Sequence, residues 1–162
     1  MNKVKLRAFK DQDLSLFKQW LNKEHVAQWY TEPDDWIYEI EKRNDEFNWL
    51  HHFIVEVEGV AIGFCQYYDY ALSGETWHNR ADVKEAYSID YMIGEEKYLG
   101  KGFGTGIVFA LAEEVKANTD AKKIIVQPDS KNQISRNTLL AANFQYDEEN
   151  DVYYKELLSN NM

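Results

Sequence analysis

Tyr87-Ser88-Ile89-Asp90-Tyr91-Met92-Ile93-Gly94-Glu95 runs almost directly into Tyr98-Leu99-Gly100-Lys101-Gly102-Phe103-Gly104-Thr105-Gly106, and the fold turns on this junction. In the first half Tyr87, Ile89, Tyr91 and Ile93 fall on one side and Ser88, Asp90 and Met92 on the other, the period of a strand. Glycine fills every second position from 100 to 106 in the second half. Beyond it Ile107, Val108, Leu111, Ala112 and Val115 form a helical apolar stripe that Asn118 is placed to end. A strand that turns through glycines into a helix presents unpaired N–H groups and a positive dipole end, which suits a phosphate. The Walker loop needs Gly-Lys-Ser/Thr after its last glycine, and that is missing. The dinucleotide fingerprint belongs near the first strand of a repeated βαβ pattern, which is not the setting here.

Working outward, Phe53–Val57 and Val60–Tyr68 read as two strands joined by Glu58-Gly59, a tight hairpin by its turn chemistry. Val4–Phe9 reads as a first strand with one wet face. Asp11-Gln12-Asp13 then supplies capping and negative charge ahead of Leu14, Phe17, Trp20 and Leu21, spaced as an amphipathic helix. A second helix is expected over Asp35–Phe47. Residues 69–85 read as a polar loop carrying Trp77, His78 and Arg80, a length that in a small domain marks mobility or function. On the C-terminal side Lys123–Gln127 reads as a short buried strand, Ile134–Ala142 as a last helix, and Phe144–Tyr146 with Val152–Lys155 as a terminal hairpin. There is no repeat or linker, and residues 1–162 fit one domain.

The net charge of −10 opposes a nucleic-acid partner, which needs clustered Lys and Arg, and favours a cationic one. That charge is uneven. Residues 32–58 hold nine acids and two bases, and residues 69–96 seven acids and two bases, whereas residues 97–136 hold seven bases and four acids. This contrast suggests an acidic mouth for a cationic substrate beside a basic seat for an anionic cofactor. No apolar run reaches the ~18 residues of a membrane span, and the start lacks a secretory apolar core, so a cytoplasmic protein with no membrane partner is expected. Cys65, the only cysteine, reads as a small buried hydrophobe. His51 and His52 point to opposite faces of a strand, His25 and His78 stand alone, and no metal-site spacing appears.

From Leu6 to Tyr154 the order of elements around the glycine loop resembles the GNAT acetyltransferase superfamily. That resemblance implies an α+β fold, a central mixed and mostly antiparallel sheet flanked by about four helices. It also implies acetyl-CoA as cosubstrate, with no metal. The superfamily's loop pattern is Arg or Gln, two residues, Gly, one residue, Gly or Ala; Gly102 and Gly104 hold its glycine positions and Leu99 departs at the first. By resemblance the amides of Lys101, Gly102, Phe103, Gly104, Thr105 and Gly106 hold the pyrophosphate, and those near Met92 and Ile93 anchor the pantetheine and polarise the thioester carbonyl. Asn132, Ser135 and Phe144 match the next signature, in which an Asn opens a helix ending before Gly-Phe, so Asn132 and Ser135 join the cofactor residues. The usual Gly is Asn143, and Asn is the commonest substitute where positive φ is needed. A Tyr that protonates the departing thiolate is replaced by Leu139. This leaves that role unassigned, with Tyr98 and Tyr91 as substitutes.

Within the superfamily the chain is most similar to aminoglycoside 6'-N-acetyltransferases, on the quoted strand and loop, on Leu6-Arg7, Asp11-Gln12-Asp13 and Lys18-Gln19-Trp20-Leu21, and on Ile62-Gly63-Phe64-Cys65-Gln66. The family Asp that lies beside the substrate amine matches Asp90, the candidate catalytic residue. A carboxylate of ordinary pKa, ~4, is a weak base toward an ammonium near ~10, so Asp90 is expected to orient the amine and relay its proton through water. A second family Asp is Gln127 here, with Asp129 nearby. Glu75, Asp82, Asp69 and Glu95 are available to restore anionic contacts, and Trp29, Tyr30, Tyr67 and Trp77, with Trp36, Tyr68 and Tyr70, to line a cleft. The expected reaction is direct acetyl transfer to the amine of a cationic small molecule, by a monomer or homodimer. Other acceptors consistent with the residues are a protein N-terminus or lysine, a polyamine and a siderophore precursor. A rival of another class is a non-catalytic acyl-CoA-binding sensor or interaction domain.

Overall fold

In a computed structural model, which describes residues 3–77 and 85–157, seven strands form one sheet in the order β1-β2-β3-β4-β5-β7-β6. These are β1 (Lys5–Ala8), β2 (Leu50–Val57), β3 (Val60–Asp69), β4 (Ala86–Ile93), β5 (Lys123–Val126), β6 (Gln145–Asp147) and β7 (Val152–Glu156). Every neighbouring pair is antiparallel except β4 and β5. The helices are α1 (Leu14–Leu21), α2 (Glu24–Ala27), α3 (Pro33–Glu41), α4 (Tyr70–Ser73), α5 (Phe103–Asn118) and α6 (Gln133–Ala141). The fold is thus the expected α+β architecture with a mixed, mostly antiparallel sheet, and α2 and α4, one turn each, add to the four longer helices. The second helix starts at Pro33, whose fixed φ suits a first helical position, and ends at Glu41, six residues short of the expected Phe47.

Strand alternation divides the core in two. Ile54 pairs with Phe64 and Phe64 with Met92, so one face of the sheet carries a row that packs against Phe17, Trp20, Leu21 and Ile40 of α1 and α3. Val55, Cys65, Tyr67 and Ile89 face the other way, onto Ile107, Val108, Leu111 and Val115 of α5 and Leu139 of α6. Fully burying one such Leu or Ile contributes about 1.5–3 kcal/mol. Cys65 is fully buried in this second layer, as its composition suggested.

Local chemistry fixes the corners. Glu58 (φ 51°) and Gly59 (φ 81°) both adopt the left-handed conformation of a two-residue hairpin turn. Asn143 takes φ 71° after α6, the left-handed conformation that asparagine tolerates best among residues with a side chain. Arg7 on β1 grips both oxygens of Asp13 at 2.8 Å and Glu56 on β2 at 2.7 Å, tying the start of the α1 layer to the sheet edge.

At the far end of β4 the backbone amides of Gly94 and Glu95 both donate to the carbonyl of Ile62, a bulge that bends the chain out of the sheet. The Trp20 indole fills the space over it: a Cβ at Gly94 would lie 2.2 Å from that ring, and Trp20 Nε1 donates to Glu95 at 2.7 Å. Gly94→Ala is therefore expected to destabilise the protein by about 3 kcal/mol, the upper end for overpacking, measured as a fall in urea midpoint at unchanged slope.

Candidate active site

The glycine-rich turn delivers the chain into α5 through two left-handed residues, Gly100 (φ 71°) and Gly102 (φ 84°), the second being the N-cap. The first helical bond runs from Gly106 N–H to Gly102 O at 3.3 Å. The amides of Phe103, Gly104 and Thr105 therefore open the helix without an acceptor inside it. Gly104 needs neither positive φ nor space: a Cβ there would meet Thr138 only at an ordinary 3.6 Å. A side chain is absent where the fold would tolerate one, which suits backbone meant to meet a ligand closely. The residues fit an anionic group such as a pyrophosphate at this helix start.

The sheet comes apart beside this loop. β4 and β5 pair only at Ala86 with Lys123 and Tyr87 with Ile124, and then diverge. Pro128, which has no N–H, follows β5, and the bulge at Gly94 turns β4 away. Between the diverging strands lies a cavity of about 280 Å³, walled by Ile89–Tyr91 on one side and Val126–Asp129 on the other, with Asn132 and Ser135 of α6 at its edge. The α6 start is built by Asn132, whose Oδ1 caps the Ser135 amide at 3.1 Å. Ser135 Oγ in turn lies 2.8 Å from Tyr91 Oη.

A second cavity, about 270 Å³, opens on the opposite face between α3, β3 and α4. Its charged lining is acidic: Glu39, Glu75 and Asp90. Asp90 lines both cavities and stands where they meet. Burial pushes its carboxyl up to about 6, Glu75 adds repulsion, and a 2.8 Å hydrogen bond from Gln66 Nε2 opposes both. Burial likewise lifts Glu39 to about 7, with Asp90, Asp35 and Glu75 contributing. Tyr68 Oη donates to Glu75 at 2.7 Å. Gln66 Oε1 is buried and has no hydrogen-bond partner, an acceptor left over at the same cavity.

Of the residues singled out in the sequence, Asp90, Trp29, Tyr30, Gln127, Asn132 and Ser135 line the cavity between the strands, and Glu75 the acidic one. Asp129, two positions beyond Gln127, lines the first as well. Tyr67 does not reach either: it points into the α5 layer, stacked between His51 and Phe53. Trp77 packs on Tyr70 at 4.7 Å in a small cluster with Ala86 and Ile125 and lines neither. Asp69 caps α4, and Glu95 is held by Trp20 and Lys23, so both have structural partners. Asp82, His78 and Arg80 lie outside the described residues. Sequence reading missed Glu39, Trp49 and Gln66 as cavity residues. Glu39 follows Trp36 by three positions on α3, so helical spacing placed both on one face. Among the described residues no cluster of His, Cys, Asp and Glu could hold a metal, and no helix is long and apolar enough to cross a membrane.

Residues 10–152 match the family described as Acetyltransferase (GNAT) domain. Aminoglycoside N(6')-acetyltransferase type 1 of Klebsiella pneumoniae is 27% identical over 135 residues, covering 80% of this chain and 67% of that protein. Two solved structures of AAC(6')-Ib, one with paromomycin and acetyl-CoA and one with coenzyme A and kanamycin, superpose with a TM-score of 0.81 at 23% identity. They cover 96% and 95% of this chain and 94% and 95% of theirs, a likeness of fold. With the split sheet, the glycine-opened helix and a family match over most of its length, the chain belongs to the GNAT acetyltransferases.

Proposed function

We propose that this protein moves the acetyl group of acetyl-CoA directly onto an amine of a cationic small molecule, the 6'-amine of an aminoglycoside. The observation that carries the reading is the position of Asp90, shared by the cavity between the split strands and by one whose charged residues, among the described residues, are all acidic. The identities of the related proteins support the acceptor, as does the net charge of −10.

Acetyl-CoA supplies a thioester carbonyl that an amine can attack. The amides opening α5 would hold its pyrophosphate, and backbone amides of β4 near Met92 and Ile93 would take its extended arm and polarise the carbonyl, the Ile93 carbonyl itself being held by His25 Nε2 at 2.9 Å. Glu39 and Glu75 attract the polycation, Gln66 Oε1 accepts from it, and Asp90 orients the reacting ammonium. A carboxylate at about 6 is a better proton acceptor than one near ~4, yet remains mostly ionised at pH 7. It passes the ammonium's first proton to water before the freed nitrogen lone pair attacks, and the second proton leaves as the C–S bond breaks. Cys65, fully buried with its thiol pushed up by burial, takes no part.

Free thiol released from acetyl-CoA should accumulate with kanamycin-type aminoglycosides and not with their 6'-hydroxyl counterparts. A panel of polyamines and peptide amines tests the other acceptors, and failure of every amine to release thiol would favour a non-catalytic acyl-CoA-binding domain. Asp90→Asn should lower kcat/KM for the amine about 100-fold. In the wild type kcat/KM should climb as pH rises through about 6, where Asp90 ionises, and again through about 7, where Glu39 does. The variant should lack the lower rise.

The same substitution should make the fold more stable. The folded carboxyl titrates at about 6 against an ordinary 3.8, so the native state loses stability as pH rises across that interval. Neutral Asn escapes the loss, and the thermal midpoint at pH 7 should go up. Glu39→Gln should raise KM for the polycation roughly tenfold, the effect of one partly buried charge contact worth about 1.4 kcal/mol, and flatten its dependence on salt.

A further inference from the structure

Leu139 is fully buried in the α5 layer and has no group to offer a departing sulfur. Of the two tyrosines that the sequence leaves as substitutes, Tyr98 sits on a turn before the glycine loop, edge-on to Phe103 at 5.5 Å, and lines neither cavity. Tyr91 does line the cavity between the split strands, one residue beyond Asp90 on β4 and on the opposite side of the strand. Its hydroxyl is held at 2.8 Å by Ser135 Oγ in the first turn of α6. We propose that the Tyr91–Ser135 pair replaces the missing tyrosine: Ser135 donates to Tyr91 Oη, and Tyr91 donates its own hydrogen bond to the coenzyme A sulfur as the thioester breaks. This rests on the acetyl-transfer reading above.

The amine nitrogen forms the C–N bond, the C–S bond breaks, and the electron pair goes to sulfur. The original ammonium gives up two protons, one released to solvent and one restored through water to the thiolate. Burial holds the Tyr91 phenol at about 12, above a thiol at ~8.5, so Tyr91 keeps its proton and acts as a hydrogen-bond donor to the anion rather than as an acid. Tyr30 also faces this cavity, but its ring packs at a tilt on Trp36, 4.7 Å between centroids, on the α3 side of the sheet. It is therefore the natural competitor in a test.

A donor aimed at sulfur should make the protein prefer the thiolate of bound coenzyme A. Calorimetry with coenzyme A and with desulfo-coenzyme A, across pH 6 to 10, reads this without turnover. In the wild type the preference for coenzyme A should grow as pH rises. In Tyr91→Phe that growth should shrink about tenfold, corresponding to one unit in the thiol's pKa, while desulfo-coenzyme A affinity stays within about twofold. Ser135→Ala should shift it the same way by less. The accompanying fall in kcat should be roughly 10- to 100-fold, as for a lost hydrogen bond to a charged group, with KM for the amine little changed. A preference that is identical in wild type and Tyr91→Phe, or that responds to Tyr30→Phe instead, overturns the proposal and leaves acetyl transfer standing. Failure of the wild type to bind coenzyme A at all overturns both. If Tyr91→Phe is too unstable to measure, Ser135→Ala decides: an unchanged preference there counts against the pair.

Discussion

The parting of β4 from β5 is the constraint on which the rest of the molecule depends. A sheet that splits in its interior leaves two facing rows of peptide groups without ladder partners, a cost that native interiors normally avoid. Here the split begins after only two paired residues and is held open from both ends. The double donation to Ile62 bends β4 away, with Trp20 packed over the bend where glycine alone fits. On the other side Pro128 ends β5 and the chain enters the α6 start capped by Asn132. Packing energy from the two apolar layers, one per face, maintains a gap that the backbone by itself would close.

That gap also explains why the charges are placed as they are. Three carboxylates sharing one cavity lose hydration on burial and, to a smaller extent, repel each other, which is why Asp90 and Glu39 are raised to about 6 and 7 from the ordinary carboxylate range. Arg7, by contrast, neutralises Asp13 and Glu56 within the layer next to them, and holds the Asp13 carboxyl below its usual value. The chain therefore can pair its buried acids and does so where stability is at stake. Among the described residues the Glu39, Glu75 and Asp90 group has no basic partner lining its cavity, an electrostatic cost that a cation would relieve.

Most of the fold was legible because it follows periods and punctuation. The strand alternation of 86–93, the glycine run, the apolar stripe of α5 and the Glu58-Gly59 turn are all local signals, and each landed within a residue or two of its element. Local signals also mislead. Trp36, Ile37, Ile40 and Phe47 share helical spacing, but after Glu41 the chain runs through turns, and Phe47 stacks beside Trp49 at 6.1 Å just before β2. At the candidate site the sequence signals were clearest where backbone position sets a residue's place, as at Gly102, the α5 N-cap, and Asn132, the α6 N-cap. Which aromatics face the cleft depends on sheet register: Tyr67 and Tyr68 are adjacent in sequence, yet one enters the α5 layer and the other reaches Glu75. No single-sequence signal marks Gln66 as the holder of Asp90, because that contact spans two strands in a register only the paired sheet defines.

The two departures from the family pattern differ in kind once their surroundings are known. At Leu139 the change is complete: a buried apolar side chain occupies the core, and any help to the leaving group has to come from another element. At Gln127 the residue still lines the cavity, but its amide donates to Asp151 O at 3.0 Å, so it braces the turn of the terminal hairpin instead of offering charge. Negative charge on that wall passes to Asp129, whose carboxylate already accepts from the Lys131 amide at 2.9 Å. The stronger negative potential thus lies across the cleft, with Glu39 and Glu75. On the proposed reading, a polycation held with one amine at Asp90 would be drawn toward α3 and α4, and the wall formed by β5 and the hairpin would shape the cleft more than it attracts.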